Sequence, residues 1–458
     1  MPDSADVPKR ASRELAKDGS PSPTSTVAIQ DVESSVNPSQ IDIPDGGFEA
    51  WSTLAGAFIV VFCTSGYVNS FGVYEDFYVR QYLTSFTSSQ ISWIGSAQTF
   101  CLFSVGIISG YAMDIGYFRH VMFAGSVLFV FCLFMISISH PERWYQLFLA
   151  QGIGLGFAIG STYVPALGVV AHHFARRRSL VMGIVASASS VGGIVHPILL
   201  NQLIHGSAGF AWGVRASAFM NGALLAIANL MMTTRLPNKS KQSFAELVLY
   251  WRGFFRDPSY NVACIGTFLL IAGVFYPTFY LQLMAVERGV STTLAFYTIA
   301  ILNGASAFGR VMPVVVVDRV GVFALMVPCT VACGVLIFCL SPAVTGAAGA
   351  VIMAILYGFF SGACISLLGP MLANLSRNVS EVGARIGVCF GIGGIGSLIG
   401  PPITGALLGV SNDWIRPAAF CGSSMCASAL ILAGAGWLNT RRKLVDPIAR
   451  PEVVVDEK

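Results

Sequence analysis

The side chains able to do chemistry are few and widely spaced. "GIVASASSVGGIVHP", residues 183–197, is small and apolar until one titratable ring, His196, arrives beside Pro197. Arg310 stands in "NGASAFGRVMPVVVV" (303–317), with apolar residues on both sides. An imidazole titrates near neutrality and can carry a proton. A guanidinium offers a planar fork of donors that matches a carboxylate or an enolate. Two readings stay open for each. His196 either bonds a neighbouring helix and tunes packing, or is a proton-linked group. Arg310 either anchors an anionic substrate, or reaches Asp318, Asp114 or a neighbouring helix. No Gly-x4-Gly-Lys-Ser/Thr phosphate loop is present. No nucleophile stands beside a base, and His172 and His173 lack acidic or cysteine partners at metal spacing. We therefore expect no ATP-driven pump, no enzyme, no metal and no cofactor.

The elements that position these residues are apolar. Hydrophobic residues make up 54% of the 458 and charged ones 11%, against about 25% charged in a soluble domain. Runs such as "WSTLAGAFIVVFCTSGYVNSFGVY" (51–74) carry no charge. About 20 residues of helix cross a hydrocarbon core, so the chain reads as a polytopic membrane protein with the lipid bilayer as its first partner. Twelve spans are predicted, at 51–74, 90–112, 119–139, 144–169, 179–204, 213–234, 260–284, 292–317, 321–340, 346–372, 382–409 and 415–438. Arg310 is the only charge expected in the interior of one, away from its ends, where burial without a partner is costly. The eleven cysteines fall within apolar runs and read as small hydrophobes, not as a disulfide framework. A net charge of +4 gives no reason to expect a nucleic-acid partner.

Residues 1–44 have no signal-type apolar core and read as a disordered tail. Twelve Arg and Lys residues fall in the loops of one side and five in those of the other, which places both termini in the cytosol. The plasma membrane is expected, with a vacuolar or other internal membrane as the alternative. The polar stretch 237–259 divides the chain into a six-helix half at 45–236 and another at 260–438, followed by a cytosolic tail at 439–458.

The halves repeat. Asp114 and Asp318, Gly183 and Gly387, and Pro197 and Pro401 are each 204 residues apart, and Pro165 and Pro370 are 205 apart. A parallel six-helix repeat with a substrate held between the halves is a transporter pattern. "GVCFGIGGIGSLIGP" (387–401) twins the opening stretch: both follow Gly-x8-Gly-x4-Pro, through Gly183, Gly192 and Pro197, and through Gly387, Gly396 and Pro401. Glycines at such intervals let backbones approach, and the proline allows a bend. His196 takes the place that Gly400 has in the twin.

These features resemble the major facilitator superfamily, with an all-α fold of twelve transmembrane helices in two pseudo-symmetric six-helix bundles. The paired glycine stretches resemble the antiporter motif of its exporters. "DGGFEAW" (45–51), "HHFARRRSLVMGIVASASSVG" (172–192) and "GRVMPVVVVDRVG" (309–321) resemble the fungal branch of its monocarboxylate-porter family. That likeness implies gating roles for Asp45, Asp114, Asp318 and Arg319, with "DRVG" (318–321) keeping the loop spacing and "DIG" (114–116) one residue short of it. Animal members carry a helix-one lysine and a helix-eight aspartate; Asn69 and Ser306 stand at those places, and only Arg310 matches. The lost relay favours a bulkier organic anion and export of a secondary metabolite over proton-coupled uptake of a monocarboxylate or other nutrient. Protons remain a candidate coupling ion, and a non-transporting nutrient sensor is the reading from another class. Such a sensor is expected to carry a long structured cytosolic tail, and the short stretch after the last predicted span argues against it. Candidate substrate contacts are Arg310, Asn69, Tyr67, Asn303, Ser306, Gln151, Tyr276 and Tyr357. A monomer is expected.

Overall fold

The computed structural model describes residues 46–174, 177–235, 251–376, 382–409 and 413–445, without the side chains of Ser88, Asp114, Arg178, Ser179, Asp318 and Val445. Asp45, Arg176 and most of the stretch 237–259 therefore lie outside the described residues, as do the expected gating contacts of Asp114 and Asp318. Among the described residues twelve helices are long and apolar enough to cross a membrane. They are α1 (Phe48–Tyr82), α2 (Ser89–Ala112), α3 (Ile115–Ser137), α4 (Trp144–His172), α5 (Leu180–Ile204) and α6 (Gly209–Met231). After the linker come α7 (Pro258–Glu287), α8 (Thr292–Val317), α9 (Val322–Ala343), α10 (Ala347–Leu375), α11 (Val382–Leu408) and α12 (Ile415–Leu444). Hydrocarbon supplies no hydrogen bonds, so each crossing must satisfy its own backbone, and a helix does that. An even number of crossings puts the described start and end on one side, the terminal side; the other is the far side.

Every expected span has its helix, and the largest differences are extensions through charge. α1 runs on past residue 74 to Tyr82, with Phe71, Tyr74, Tyr78 and Tyr82 buried along it, and Arg80 Nε donates to Asp76 Oδ1 at 2.6 Å across one turn. Glu75 is therefore inside a span, and Arg310 is not the only charge within one. α12 continues to Leu444: Arg441 stacks 3.9 Å from the Trp437 ring centroid, and Arg442 reaches back to Asp257.

Two apolar cores form, one from residues between Ala50 and Met232, the other from Phe254 to Ala435 with Phe103 added. Corresponding helices pair alike in each: α1 with α5 and α6, as α7 with α11 and α12; α2 with α4, as α8 with α10; α3 with α6, as α9 with α12. The halves meet chiefly through α2 against α11 and α5 against α8. Both first helices are interrupted. α1 breaks at Thr64 and again before Phe71, in a run where Thr64 and Asn69 side chains bond backbone carbonyls and Gly66 adds backbone freedom. α7 breaks at Phe275, with Pro277 in the restarted first turn, where its missing N–H costs nothing.

The one-residue departure in the first loop has a backbone explanation. α2 ends in a wide π turn, Met113–Tyr117, that reaches left-handed Gly116 (φ 95°). Gly321 (φ 92°) does the same three residues after Asp318. Both connectors turn on a glycine because a side chain there would strain the backbone.

Candidate functional site

Small residues on α5 let α8 approach closely, and polar side chains collect where they meet. A methyl group built on Gly193 would fall 2.7 Å from Asn303 Oδ1 and 2.9 Å from Asn69 Nδ2. Glycine at 193 thus brings α1, α5 and α8 to one point. Asn69 Nδ2 lies 3.3 Å from the Gly66 carbonyl and 3.5 Å from that of Ser189. Asn303 Nδ2 donates to the Ile299 carbonyl at 3.0 Å, so its Oδ1 faces α5. One turn on, Ser190 Oγ donates to Ser306 Oγ at 3.3 Å, and Arg310 Nε approaches the same oxygen at 3.5 Å. Arg310 Nη1 crosses to the Ala186 carbonyl at 3.2 Å.

Of the expected substrate contacts, the structure brings Arg310, Ser306, Asn303 and Asn69 together on a single seam between the halves. Arg310 is half-buried, and no ion pair to it is found among the described residues. A guanidinium with two of its five donors on neutral oxygens keeps capacity for an anion.

The remaining four point elsewhere. Tyr67 and Tyr74 share a hydrogen bond of 2.6 Å, and Tyr78 donates to Gln151 Oε1 at 2.7 Å. Tyr67, Tyr74, Tyr78 and Gln151 are buried within the first core or beside it. Tyr357 donates to the Val274 carbonyl at 2.6 Å, where α7 breaks. Tyr276 is buried next to Tyr280, with ring centroids 5.8 Å apart.

His196 is fully buried, and its Nε2 lies 3.1 Å from the Phe62 carbonyl, beside the Thr64 break. With Nε2–H as the donor, Nδ1 has no partner. The ring packs against Phe62 and Tyr67 at centroid distances of 4.8 and 5.2 Å. This geometry matches the helix-bonding reading and parallels Tyr357: in each half, a neighbour's side chain takes a carbonyl beside the break in the first helix.

The glycine motif has two faces. A Cβ on Gly183 would sit 3.5 Å from the Arg310 carbonyl, and one on Gly387 3.3 Å from Ile107 Cα; these two face the opposite half. Gly192, Gly396 and Gly400 face their own half's first helix, where a Cβ would collide with the carbonyls of Phe62, Phe268 and Ala272. Pro197 and Pro401 are buried inside continuous helices, and Arg319 is exposed two residues past the terminal end of α8.

Sequence reasoning missed three arrangements. Glu49 at the start of α1 pairs with Arg235 after α6 at 2.5 Å. In the second half Asp257, just before α7, takes Arg442 of α12 and also Arg385 of α11 at 3.1 Å. The two clasps span 186 and 185 residues, but their acids are 208 apart and their arginines 207, off the 204-residue spacing, so the repeat did not align them. Arg385 also lies 5.0 Å over the Phe254 ring, and both it and Asp257 are nearly inaccessible. The third is Glu75; aromatic residues continuing at 71, 74, 78 and 82 carried the helical period past the acidic pair.

A sequence model of the Major Facilitator Superfamily matches residues 50–358. The chain is 38% identical to an aspyridones efflux protein of Emericella nidulans over 402 residues, covering 88% of this chain and 80% of that one. It is 35% identical to an agnestins efflux protein of Paecilomyces divaricatus, covering 93% and 94%. It is 33% identical to a fujikurins efflux protein of Gibberella fujikuroi, covering 88% and 85%. Among solved structures, the E. coli fucose:proton symporter superposes with a TM-score of 0.60 at 15% identity, over 84% of this chain and 98% of that one, a likeness of fold.

Proposed function

The chain belongs to the Major Facilitator Superfamily, and from that premise we propose that it is a secondary exporter of a secondary metabolite carrying a carboxylate or acidic enol. It moves the compound by alternating access between the two six-helix bundles. Arg310 is the anion anchor, with Ser306, Asn303 and Asn69 as neutral partners along the same seam. The observation that carries this reading is a half-buried guanidinium between the bundles that meets only neutral oxygens among the described residues. An isolated cation at this depth is unfavourable until an anion joins it. The names of the relatives support the direction, since three are efflux proteins. The "DGGFEAW" and "HHFARRRSL" segments support the fungal monocarboxylate-porter-like branch. The excess of basic residues in terminal-side loops supports cytosolic termini, and export out of the cell calls for the plasma membrane.

Reconstitution into vesicles tests this with a panel of labelled carboxylic and enolic metabolites under an imposed pH gradient. Export of at least one member is expected, and no movement of any compound refutes the reading. Arg310→Gln is expected to lower transport of the anion about ten- to hundredfold, the worth of a charged hydrogen bond, with Arg310→Lys losing less. Unchanged transport by Arg310→Gln removes the anchor.

A further inference from the structure

The spans hold four described carboxylates: Glu49, Glu75, Asp76 and Glu287. Three have partners. Glu49 pairs with Arg235, Asp76 with Arg80, and Glu287 accepts from Trp414 Nε1 at 2.9 Å. Glu75 is half-buried and makes neither a hydrogen bond nor an ion pair among the described residues. It lies on the far-side part of α1, where α1 closes on the other half. Phe71 meets Phe279 of α7 edge-on at 6.3 Å, and a Cβ on Gly72 would sit 3.9 Å from Ile299 of α8. Tyr280 of α7 is within electrostatic reach of Glu75. Behind Tyr280 stands Tyr276, whose buried hydroxyl has no partner.

The charged surroundings are sparse. On its own helix Glu75 has Asp76, already paired with Arg80. From α7 comes Tyr280. The histidines of α5 are engaged: His196 at the Phe62 carbonyl, and exposed His205 at that of Asn201. Arg215 of α6 donates to Ser137 Oγ. α8 presents Ile299, and α2 presents Gly95 against Phe71. No described cation faces Glu75 in the closed seam.

The geometry points to Glu75 as a proton-binding gate: the far-side seam between α1 and α7 closes with its carboxyl protonated and parts when the carboxyl ionises. Neutral, the carboxylic acid can sit in the seam on the face it shares with Phe71 and Gly72, with no charge to desolvate. Ionised, it is an unpaired charge beside aromatic rings, and an opened seam hydrates it more fully than the closed one. Closure and proton binding are therefore linked, and each favours the other. The inference rests on the proposed alternating access, because it requires α1 and α7 to separate.

The test reads the seam directly and needs no cargo. Gly72→Cys places a thiol in the seam, where a side chain makes only ordinary contact with Ile299. The full-length protein in lipid vesicles is treated with a membrane-impermeant maleimide from about pH 5 to about pH 8, and mass spectrometry reads the peptide containing position 72. Corrected for thiol reactivity with a free-thiol standard, labelling is expected to rise severalfold with pH. With Glu75→Gln added it stays low at all pH values, and with Glu75→Asp the pH response returns. Labelling that does not change with pH overturns the gate, as does a pH response that survives Glu75→Gln. A seam that answers sodium at fixed pH but not protons overturns it too. Failure of the vesicle panel to show transport, with this labelling intact, would instead refute the exporter reading.

Discussion

His196 shows how little a residue type decides at the residue scale. A buried imidazole in a spanning helix suggests proton chemistry, yet its Nε2 is held at the Phe62 carbonyl and its ring lies between Phe62 and Tyr67. Removing the donor leaves a buried carbonyl unsatisfied, which costs about 1–3 kcal/mol. We expect His196→Leu to lower the melting temperature in detergent and His196→Gln, which keeps an N–H, to recover most of it. Neither should move the pH profile of transport. Glu142 lies outside the spans and titrates in a different setting. Hydrogen bonds from Ser85, then Thr84, hold its carboxyl below the usual carboxylate range and tie the α1–α2 loop to the α3–α4 loop. A lowered folded pKa stabilises the tie above the unfolded value of about 4.3, and the stabilisation is lost as pH falls through the folded value. Protection of the Thr84 and Ser85 amides from hydrogen exchange should therefore fall on acidification, and should be weak at every pH in Glu142→Gln.

At the scale of elements, the glycine motif separates into two jobs that one pattern of letters hides. Gly192 must be glycine because α5 presses on the Phe62 carbonyl and Gly66 of α1. Gly183 has room for a methyl group in ordinary contact with Val314 of the other half. Gly192→Ala should thus destabilise the first bundle, read as a lower melting midpoint, while Gly183→Ala should leave it unchanged. The same logic explains why His196 can replace the glycine found at Gly400. At Gly400 any side chain meets the Ala272 backbone of α7, whereas the α1 break leaves a carbonyl that an imidazole can take. Broken first helices were invisible to hydropathy, because Thr, Ser and Asn in 64–70 barely lower it.

At the scale of the molecule, each bundle is fastened at the terminal side by an acid before its first helix or at its start and an arginine at or past the end of its last. The fasteners differ in burial. Asp257 and Arg385 are nearly inaccessible, while Glu49 and Arg235 are exposed. Breaking a buried pair typically costs about 3–5 kcal/mol, and an exposed one under about 1 kcal/mol. Asp257→Asn should therefore lower the melting midpoint clearly, and Glu49→Gln hardly at all. Motion between the bundles is testable through Gly387, where a built Cβ lies 3.7 Å from that of Ile107, near the mean for a disulfide. Oxidising the pair Ile107→Cys and Gly387→Cys should stop transport in vesicles, and reduction should restore it.

Twelve crossings, the duplication at 204 residues and the isolation of Arg310 from other charges on its span were legible in the order of residues, since they follow from local hydropathy and spacing. Which side chains share the seam between the bundles was not. Asn69 and Ser306 are 237 positions apart, and Tyr67, two residues from Asn69, turns into its own bundle. A helix shows each residue a different neighbour every 100°, and only the packing of α1, α5 and α8 decided which face looked across. The lone carboxylate at Glu75 was lost for the same reason. Its charge looked like the end of a span until the turn of helix beyond it, and the facing α7, came into view.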